Sequence, residues 1–392
     1  PDRPNHIPHQ GPDAPFPRFL SWLTETSLVY RGRRQSLSQS GPPYHPHIFS
    51  SIVARILVGL SGGVDSSVAA ALLVEQGHDV VGAYMKNWVN DEGIPGECPW
   101  EQDIQDALAV AKTTGIEFRV IDLVDEYRAR IVNYLIEGYR AGYTPNPDVL
   151  CNREMKFGVF LDYALEQGFD YVATGHYARR MDTPQGAFIL RGRDPNKDQS
   201  YFLSLMRPDQ IARAVFPLGD LLKPEVRVLA EKYGLPTARK KDSQGICFVP
   251  KNDFATYIEQ RNGTPLPEGD IVNTDGEVLG RHHGAIRYTV GQRKGLGVAC
   301  AHPVYVTGVD AAANTVTLGE VEDLMAHGLI ADDWIWSAPA HVMNDLLDEA
   351  GEAGLSVSAK IRYRHPAQPA RLRRAASGGD TAFELVFDEP ER

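Results

Sequence analysis

The stretch RILVGLSGGVDSS, residues 55–67, decides the fold. Its apolar first half is typical of a short buried strand, and the two glycines that follow permit a tight turn into a helix predicted from Val68 to Gln76. Outward from this stretch, further strands are predicted at 79–85, 117–123 and 171–174, with helices at 103–113 and 157–167 between them. Alternating strands and helices predict an α/β fold with a doubly wound parallel sheet, whose ligands bind at the carboxyl ends of the strands.

The rest of the chain differs from this region in composition and in hydrophobic periodicity. Residues 1–50 are rich in proline and lack an amphipathic period, so we expect a disordered extension there. Helical periodicity fades after about residue 250, and short alternating runs follow, separated by turns such as Asp275-Gly276. We expect Trp334 and Trp336 to lie in one of these alternating strands. We therefore expect a catalytic domain at 51–250, a small β-rich central domain at 251–325, and a C-terminal β-barrel at 326–392 that lacks its last strand.

Composition limits the classes of function. A formal charge of −11 over 392 residues excludes a protein that binds nucleic acid through bulk positive charge, although a local basic patch is still compatible with it. No apolar run approaches the ~20 residues that span a bilayer, so no membrane partner is expected. The four cysteines are too few for a disulfide scaffold in a chain of this length, which indicates a reducing, cytoplasmic location.

The turn at residues 61–67, SGGVDSS, has the chemistry of an anion-binding site. Glycines let the backbone approach a phosphate closely, and the amides and dipole of the following helix attract it. Asp65 is suited either to capping that helix or to holding Mg²⁺. The turn lacks the lysine of a Walker A motif, and a serine-capped helix after a glycine turn is the structural alternative. The heptad resembles the PP-loop of the ATP pyrophosphatase family, whose members split ATP between the α- and β-phosphates and adenylate a carbonyl oxygen.

Two cysteines lie in segments with the features of reactive loops. Cys151 follows the rigid run TPNPD at 144–148, which places Asp148 three residues before it as an acid/base candidate. Cys247 closes the basic, glycine-containing run KKDSQGIC at 240–247. Either cysteine alone is equally compatible with buried packing. Two of them beside an adenylating loop indicate sulfur transfer, in which one cysteine carries a persulfide and the other resolves it.

Nearby charge distinguishes the four thiols from one another. Positive charge on Arg153 and Lys156 would lower the pKa of the Cys151 thiol and increase its thiolate fraction. Cys98 and Cys300 have no such neighbours in sequence, so we expect them to be packing or bystander residues.

Eight motifs, taken in order, resemble the MnmA (TrmU) family of tRNA-specific 2-thiouridylases. They are GLSGGVDSS (59–67), AYMKNW (83–88), TPNPDVLCNREMKF (144–157), ATGHYAR (173–179), RGRDPNKDQSYFL (191–203), KKDSQGICF (240–248), TVGQRKGLG (289–297) and KIRYRH (360–365). The resemblance implies a tRNA-uridine 2-sulfurtransferase that uses ATP to adenylate the C2 oxygen of the wobble uridine. Sulfur from an enzyme cysteine persulfide then gives 2-thiouridine, AMP and pyrophosphate.

The resemblance also implies roles for individual residues. Cys151 is the nucleophile, Cys247 carries the persulfide, and Asp148 is the general acid/base. The residues implied in ATP binding are Gly59, Leu60, Ser61, Gly62, Gly63, Val64, Asp65, Ser66, Met85 and Gly175. Those implied in tRNA binding are Asn146, Pro147, Asp148, His176, Lys197, Asp198, Gln199, Arg362 and Tyr363.

The same resemblance implies the cofactors and partners. ATP is expected with Mg²⁺, the metal lying near Asp65, and no other metal is expected. The macromolecular partners are tRNA and a sulfur-relay protein fed by a cysteine desulfurase. The enzyme is expected to act as a monomer.

An RNA substrate requires a local basic surface in so acidic a chain. Residues 360–374 contain six lysines and arginines and no acid, interleaved with Tyr363 and His365, which suit stacking on unpaired bases. A solvated strand face is the alternative explanation for this segment. A second basic group near the expected site comprises Arg191, Arg193, Lys197, Arg239, Lys240 and Lys241.

Three other functions stay open on the residues alone. An ammonia-using synthetase with the same phosphate loop would act on a small molecule and would need no paired cysteines. An iron–sulfur or metal-binding RNA protein would use Asp148, Cys151 and Cys247 as ligands. A non-catalytic RNA-binding module would release no pyrophosphate from ATP.

Overall fold

The structure is a computed structural model that describes residues 27–30, 53–89, 100–242, 254–332, 334–376 and 382–392. Its strands, in chain order, are β1 (Ser27–Tyr30), β2 (Arg55–Gly59), β3 (Asp79–Lys86), β4 (Glu117–Asp122), β5 (Tyr171–Ala173), β6 (Ala178–Thr183), β7 (Gly186–Arg191), β8 (Ala214–Val215), β9 (Gly269–Asn273), β10 (Val278–His282), β11 (Tyr305–Asp310), β12 (Thr315–Gly319), β13 (Ala326–Ala331), β14 (Leu355–Lys360), β15 (Gln368–Arg374) and β16 (Phe383–Glu391).

The α-helices alternate with the strands in the first half of the chain. They are α1 (Val64–Glu75), α2 (Trp100–Thr114), α3 (Val124–Tyr127), α4 (Asn133–Arg140), α5 (Pro147–Cys151), α6 (Phe160–Glu166), α7 (Pro208–Ile211), α8 (Lys223–Lys232), α9 (Phe254–Asn262) and α10 (Ala340–Ala350). Wider π-helical turns at Arg128–Val132 join α3 to α4, and others at Asn152–Val159 join α5 to α6. Short 3₁₀ turns lie at Ser200–Leu203, Ala285–Arg287, Glu322–Leu324 and Gly351–Ala353.

A five-stranded parallel sheet forms the centre of the first domain, in the order β4-β3-β2-β5-β8. Side chains of β2 alternate between its two faces, so Ile56 and Val58 enter one apolar core while Leu57 enters the other. All three are fully buried, because helices cover both faces of the sheet. The predicted α/β fold with a doubly wound parallel sheet is confirmed.

The helix after the glycine turn begins earlier than predicted. It starts at Val64 rather than Val68, directly after Gly63, which is extended (φ −97°, ψ 164°). The turn between β2 and α1 is therefore only four residues long, from Leu60 to Gly63. Because the turn is so short, Asp65 and Ser66 lie in the first helical turn, where amide groups have no partner within the helix.

The central domain is a four-stranded mixed sheet in the order β10-β9-β12-β11. Ile271, Val306, Val316 and Leu318 form its buried core. The predicted turn at Asp275-Gly276 joins β9 to β10, and Gly276 has the left-handed φ of +84° that this turn requires. Helix α9, which was not predicted, precedes this sheet.

The C-terminal domain is an antiparallel sheet of five strands in the order β1-β14-β15-β16-β13. Helix α10 covers one face through Met343 and Leu347 and was not predicted. Trp334 and Trp336, which we expected in an alternating strand, lie in a connecting segment instead. Their rings pack on Phe383, with centroids 5.1 and 5.2 Å away, because this packing buries more aromatic surface than an exposed strand would.

Residues 27–30 do not follow the expectation of a disordered extension over 1–50. Ser27–Tyr30 pair antiparallel with β14, in the register Ser27 to Lys360. An unpaired edge at β14 would leave backbone amide and carbonyl groups without partners, and the added strand supplies them. The remainder of residues 1–50 lies outside the described residues.

Across the described ranges, none of the helices is both long enough and apolar enough to span a lipid bilayer.

Candidate active site

The phosphate loop is built by close backbone packing. Gly62 has φ +70°, and a Cβ there would lie 2.6 Å from the carbonyl oxygen of Asp103, at the start of α2. A Cβ on Gly175 would lie 2.6 Å from the amide nitrogen of Ser66. Only glycine fits at either position, so the loop is clamped between α2 and the residues after β5. Gly175, predicted from the resemblance, is thus placed directly against the loop.

Serine hydroxyls hold the loop in shape from within. The Ser66 hydroxyl accepts a hydrogen bond from the Ser61 amide at 3.1 Å and donates to the Gly63 carbonyl at 3.2 Å. Ser67 is fully buried, and its hydroxyl donates to the same carbonyl at 2.7 Å. The Ser61 side chain is exposed, with its hydroxyl 3.2 Å from that of Ser66, so it is the serine of the loop that a ligand can reach from solvent. With the unpaired amides at the start of α1, the loop presents donors to an anion.

The remaining residues predicted to bind ATP differ in whether their side chains are buried. Leu60 and Val64 are buried in the core, so only their backbone atoms face the loop. The Met85 side chain reaches the loop from β3, and its Cε would lie 3.2 Å from a Cβ on Gly59. The structure therefore gathers all the predicted ATP residues around one end of the parallel sheet.

Asp65 has a different role from the metal ligand that we considered. Both of its carboxylate oxygens accept hydrogen bonds from the Lys223 ammonium at 2.8 Å, and one also accepts from the Tyr177 hydroxyl at 2.8 Å. A lysine ammonium thus occupies the position that a cation would take. The surroundings of Asp65 do not fit Mg²⁺, and the expectation of a metal at this residue is not supported.

Lys223 also connects the phosphate loop to Asp242. Its ammonium lies 2.8 Å from Asp242, which also pairs with Lys197 and Arg227 at 2.7 Å each. Burial alone raises the pKa of Asp242, but hydrogen bonds from Lys197 and Lys223 outweigh it and bring the pKa to about 2. Asp242 is therefore ionised at neutral pH and anchors three cations. No motif in the sequence identified Lys223 or Arg227.

Asp148 and Cys151 lie one turn apart on α5. The helix begins with Pro147 in its first turn, and Val149 and Leu150 are buried, which directs the other side of the helix outward. Asp148 is exposed and Cys151 is half-buried. Residues three apart are neighbours on a helix surface, so the carboxyl and the thiol face the same space. Asn146 and Pro147, predicted to contact the target base, frame the start of this helix.

Protein surroundings tune the Asp148 carboxyl. Solvent reaches this side chain, yet many protein atoms surround it, and the resulting desolvation raises its pKa. The charge of Lys156 acts in the opposite direction and lowers it. A carboxyl whose pKa is raised toward neutrality is better suited to exchanging protons than an ordinary aspartate.

His176 holds Lys156 in place and is not positioned to contact RNA. Its ring is only 7% exposed, and burial holds its pKa well below the ordinary value. The Lys156 ammonium lies 3.4 Å from Nε2 and can only donate, so Nε2 accepts and Nδ1 carries the proton. Nδ1 then donates to the Thr174 hydroxyl at 2.7 Å. Because both ring nitrogens are engaged and buried, the expected direct contact between His176 and tRNA is not supported.

The helix that carries these groups changes its winding directly after Cys151. Residues Asn152–Val159 form π-helical turns, and Gly158 departs from helical geometry with φ −106° and ψ −105°. The Asn152 side chain is buried and donates to the Phe202 carbonyl at 2.8 Å. Such wide turns are frequent at functional sites, where they redirect side chains.

The other cysteines are only partly accounted for. Cys247 and Cys98 lie outside the described residues, and Asp242 is the last described residue before Cys247. Cys300 is exposed, so it is not a packing residue as we had allowed. The predicted approach of Cys247 to Cys151 therefore stays a prediction.

Two of the predicted tRNA residues have structural hydrogen bonds. The Asp198 carboxylate accepts from the Gly192 amide at 3.0 Å and the Ser200 amide at 3.1 Å. The Gln199 side-chain oxygen accepts from the Tyr177 amide at 3.0 Å. Both side chains thus shape the turn that follows β7. Lys197 is paired with Asp242, as described above.

Arg362 and Tyr363 join the C-terminal domain to the rest of the molecule. Arg362 donates to the Val290 carbonyl at 3.0 Å and stays exposed. The Tyr363 ring packs against Phe202 with centroids 4.4 Å apart, in a small cluster that includes buried Val149 of α5. Arg362 is available to RNA, whereas Tyr363 is largely committed to packing.

Three of the six members of the second predicted basic group are paired with acids. Arg193 pairs with Glu225 at 3.2 Å, Lys197 with Asp242 at 2.7 Å, and Lys240 with Asp103 and Asp106 at 2.8 and 2.6 Å. These three cations hold the catalytic domain together, whereas the other three members, Arg191, Arg239 and Lys241, are exposed.

The metal-binding alternative finds no support in the part of the chain that is described. There, no group of three or more histidine, cysteine or acidic side chains is placed to hold a metal ion. Asp148 and Cys151 share a helix face, but the third expected ligand, Cys247, lies outside the described residues.

Two family models match consecutive parts of the chain. The family model described as the tRNA methyl transferase HUP domain matches residues 54–251, and the tRNA methyl transferase PRC-barrel domain matches residues 255–320. A solved structure of NMN synthetase from Francisella tularensis is similar over 55% of this chain and 79% of that chain. Its identity of 20% and TM-score of 0.32 are too low to carry an argument.

Curated relatives are far more similar. The tRNA-specific 2-thiouridylase MnmA of Akkermansia muciniphila is 70% identical over 343 residues, covering 87% of this chain and 92% of that protein. The protein of the same name from Pseudomonas entomophila is 45% identical over 346 residues, covering 86% and 88%. The similarity to these proteins therefore extends over most of the chain and is not confined to the eight motifs. The chain belongs to the MnmA family of tRNA-specific 2-thiouridylases.

Proposed function

We propose that this chain is an ATP-dependent tRNA-uridine 2-sulfurtransferase. The observation that carries the proposal is the pairing of Asp148 and Cys151 on one face of α5, beside a lysine that a neutral histidine holds in place. The second support is the phosphate loop of glycines and serines at the end of the parallel sheet. Similarity to named 2-thiouridylases supplies the substrate class.

The first half-reaction activates the base. The C2 oxygen of the wobble uridine attacks the α-phosphorus of ATP, the bond to the β-phosphate breaks, and pyrophosphate leaves into the loop around Gly62 and Gly63. As the oxygen attacks, the N3 proton of the base becomes acidic, and the Asp148 carboxylate accepts it. The product carries AMP on C2, which converts a poor leaving group into a good one.

The second half-reaction supplies sulfur. The Cys151 thiolate attacks the inner sulfur of a Cys247 persulfide, which forms a disulfide between the two cysteines and releases hydrosulfide. Hydrosulfide adds to C2 and AMP leaves with the oxygen, giving 2-thiouridine. Two external thiols, or one dithiol, must then reduce the disulfide in each cycle, which returns both cysteines to the thiol form. A persulfide-carrying relay protein must reload Cys247, because each cycle consumes one sulfur atom.

The setting of the reaction follows from its substrate. We expect the enzyme to act as a monomer in the compartment that holds mature tRNA, the cytoplasm. No step of the proposed mechanism depends on a metal at Asp65, because Lys223 satisfies that carboxylate.

Mass spectrometry of nucleosides tests the proposal. Unmodified tRNA incubated with enzyme, ATP and a persulfide donor should yield 2-thiouridine at the wobble position. Cys151→Ala should abolish the product, and the matched control Cys300→Ala, at an exposed thiol, should leave it unchanged. Undiminished thiolation by Cys151→Ala would refute the mechanism. A methylated nucleoside in place of a thiolated one would refute the function.

Two alternatives give different results in the same preparation. A small-molecule synthetase would consume ATP and ammonia without tRNA and would not need Cys151. An iron–sulfur protein would contain iron and acid-labile sulfide after anaerobic purification. Neither has a specific supporting observation in the described residues.

A further inference from the structure

A glycine-rich loop of the central domain, residues 289–297, is held in a fixed shape and is named here the 289–297 loop. The Gly291 amide donates to the Val306 carbonyl at 2.7 Å, and the Val306 amide donates to the Gln292 carbonyl at 2.9 Å, which attaches the loop to β11. The Gln292 side chain accepts from the Thr289 amide at 3.1 Å and donates to the Lys294 carbonyl at 2.9 Å. These bonds close the loop on itself.

The same loop contacts both neighbouring domains. The Thr289 hydroxyl lies 3.1 Å from the Thr144 hydroxyl, at the start of the segment that carries Asp148 and Cys151. On its other side, Arg362 of the C-terminal domain donates to the Val290 carbonyl at 3.0 Å. A Cβ on Gly291 would lie 2.8 Å from the Arg362 guanidinium, so the absence of a side chain there lets the arginine approach. The loop therefore lies beside the candidate active site.

The tip of the loop carries two adjacent exposed cations, Arg293 and Lys294. Neither has an acidic partner among the residues that the structure describes. Basic residues elsewhere in the central domain do have such partners: Arg281 pairs with Asp270 at 2.9 Å, and Arg287 with Glu259 at 2.8 Å. Although the chain as a whole has a formal charge of −11, these two neighbouring cations make the loop tip locally positive.

Arg362 and Arg364 extend this positive surface from the C-terminal domain. Both side chains are exposed. Although solvent reaches Arg362, nearby protein atoms desolvate its guanidinium and, with the charge of Arg392, lower its pKa without removing its charge. Several cations that face solvent together attract an extended polyanion more strongly than a small ligand.

We propose that Arg293 and Lys294 bind backbone phosphates of the tRNA on the side of the target uridine that faces the central domain. The proposal rests on the proposed function. Arg293 is four residues from Thr289, and Asp148 is four residues from Thr144, so each lies at most about 14 Å from the hydroxyl contact that joins them. A nucleotide strand whose target base reaches Asp148 thus passes within reach of the loop tip. ATP has its own phosphate site, so RNA is the polyanion that this surface fits.

Salt dependence of tRNA binding tests the proposal. Each lost phosphate contact reduces the slope of log affinity against log salt by roughly 0.7 to 0.9. Arg293→Gln combined with Lys294→Gln should therefore reduce the slope by about 1.5 and raise KM for tRNA, with kcat for 2-thiouridine formation little changed. The charge-preserving exchange Arg293→Lys with Lys294→Arg should keep the wild-type slope. Arg281→Gln, at a paired arginine of the same domain, is the matched control.

The outcomes separate this proposal from the proposed function. Wild-type slope and affinity in the double glutamine variant would overturn the phosphate contacts while 2-thiouridine formation still stands. An equal loss in Arg281→Gln would also overturn them, because the effect would then be one of net charge. Failure of the wild-type enzyme to thiolate tRNA would overturn the proposed function itself. If the double variant melts early, Lys294→Gln alone should show about half the change in slope.

Discussion

Lys156 is the residue that controls the charge around Asp148. It donates to His176, whose neutral ring cannot repel it, and its positive charge lowers the pKa of the Asp148 carboxyl. The arrangement balances burial, which raises this pKa, against a nearby cation. The histidine thus holds the positive charge of Lys156 close to Asp148. We therefore expect substitutions at Lys156 to change the pKa of the Asp148 carboxyl.

Lys156→Met should therefore shift the pH dependence of adenylation. Asp148 acts as a base only when ionised, so activity falls as the pH drops through its pKa. Removal of the Lys156 charge raises that pKa further, and the acidic limb of the pyrophosphate-release profile should move to higher pH. Lys156→Arg should leave the limb in place. An unmoved limb in Lys156→Met would show that Asp148 is not the titrating base.

Local sequence motifs predicted the candidate site residues but not the side chains that pair with them. Asp148, Cys151 and the glycine loop carry local motifs, so they could be found from the chain alone. The partner of Asp65, Lys223, is 158 residues away and has no motif around it, so a metal ion looked equally plausible there. His176 was expected to contact tRNA because the family resemblance implies it, and only the packing around its ring shows that it is buried.

Helix α8 and the phosphate loop form one electrostatic unit. Lys223, in the first turn of α8, links Asp65 of α1 to Asp242, and its side chain is only 13% exposed. Charged hydrogen bonds of this kind are worth roughly 1.5–3 kcal/mol each when one partner is removed. The elements are thus joined by one ammonium group rather than by apolar contact alone.

Lys223→Met should lower the urea midpoint of unfolding, and the loss should depend on pH. The pKa of Asp242 is lowered to about 2, so the stability from its ionised contacts is complete above its ordinary pKa of about 4 and disappears as pH falls through 2. The difference between wild type and variant should be constant from pH 7 to about 4 and shrink below that.

An exposed ion pair provides the control for this measurement. Lys232 pairs with Glu75 at 3.0 Å, but both side chains are more than half exposed. Lys232→Met should change the urea midpoint far less than Lys223→Met does, at any pH. A Lys223→Met variant as stable as Lys232→Met would show that the link between α8 and the phosphate loop contributes little.

Four strands of the parallel sheet were predictable because their periodicity is strong, whereas β6 to β8 and helices α3, α4, α5, α7 and α8 of the same domain were not predicted. β2, β3, β4 and β5 lie within one or two residues of their predicted bounds. The start of α1 was predicted four residues late, because Gly62 and Gly63 were assigned to the turn together with Val64 and Asp65. α10 was missed although Val342, Met343, Leu346 and Leu347 have helical spacing, since Trp334 and Trp336 suggested a continuing strand.

On the scale of the whole molecule, Tyr363 connects the C-terminal sheet to the catalytic helix. Its ring lies on Phe202, and the cluster that they share includes Val149, which is fully buried one residue after Asp148. The order of an α/β region followed by β-rich regions was predictable, because helical periodicity gives way to short alternating runs along the chain. The contact of α5 with the C-terminal domain was not, because no local pattern records which surfaces meet across 200 residues.

Tyr363→Ala should loosen this contact. Loss of a half-buried aromatic ring should lower stability by about 1–3 kcal/mol and reduce thiolation even at saturating tRNA, since α5 would lose its support. Tyr363→Phe keeps the ring and should behave as wild type. If Tyr363→Ala instead weakens tRNA binding with no change in melting temperature or kcat, the ring contacts RNA rather than the protein.

The cluster around Val149 also sets the order in which the enzyme matures during synthesis. Val149 and Tyr363 are 214 residues apart in the chain (363 − 149), and Ile335 belongs to the same cluster. At roughly 5–20 residues per second, a ribosome needs about 10–40 seconds to travel from one to the other. Throughout that interval the nascent chain has its phosphate loop but an incompletely covered catalytic helix. A growing chain therefore acquires the candidate nucleotide-binding loop well before the packing that supports the helix of Cys151.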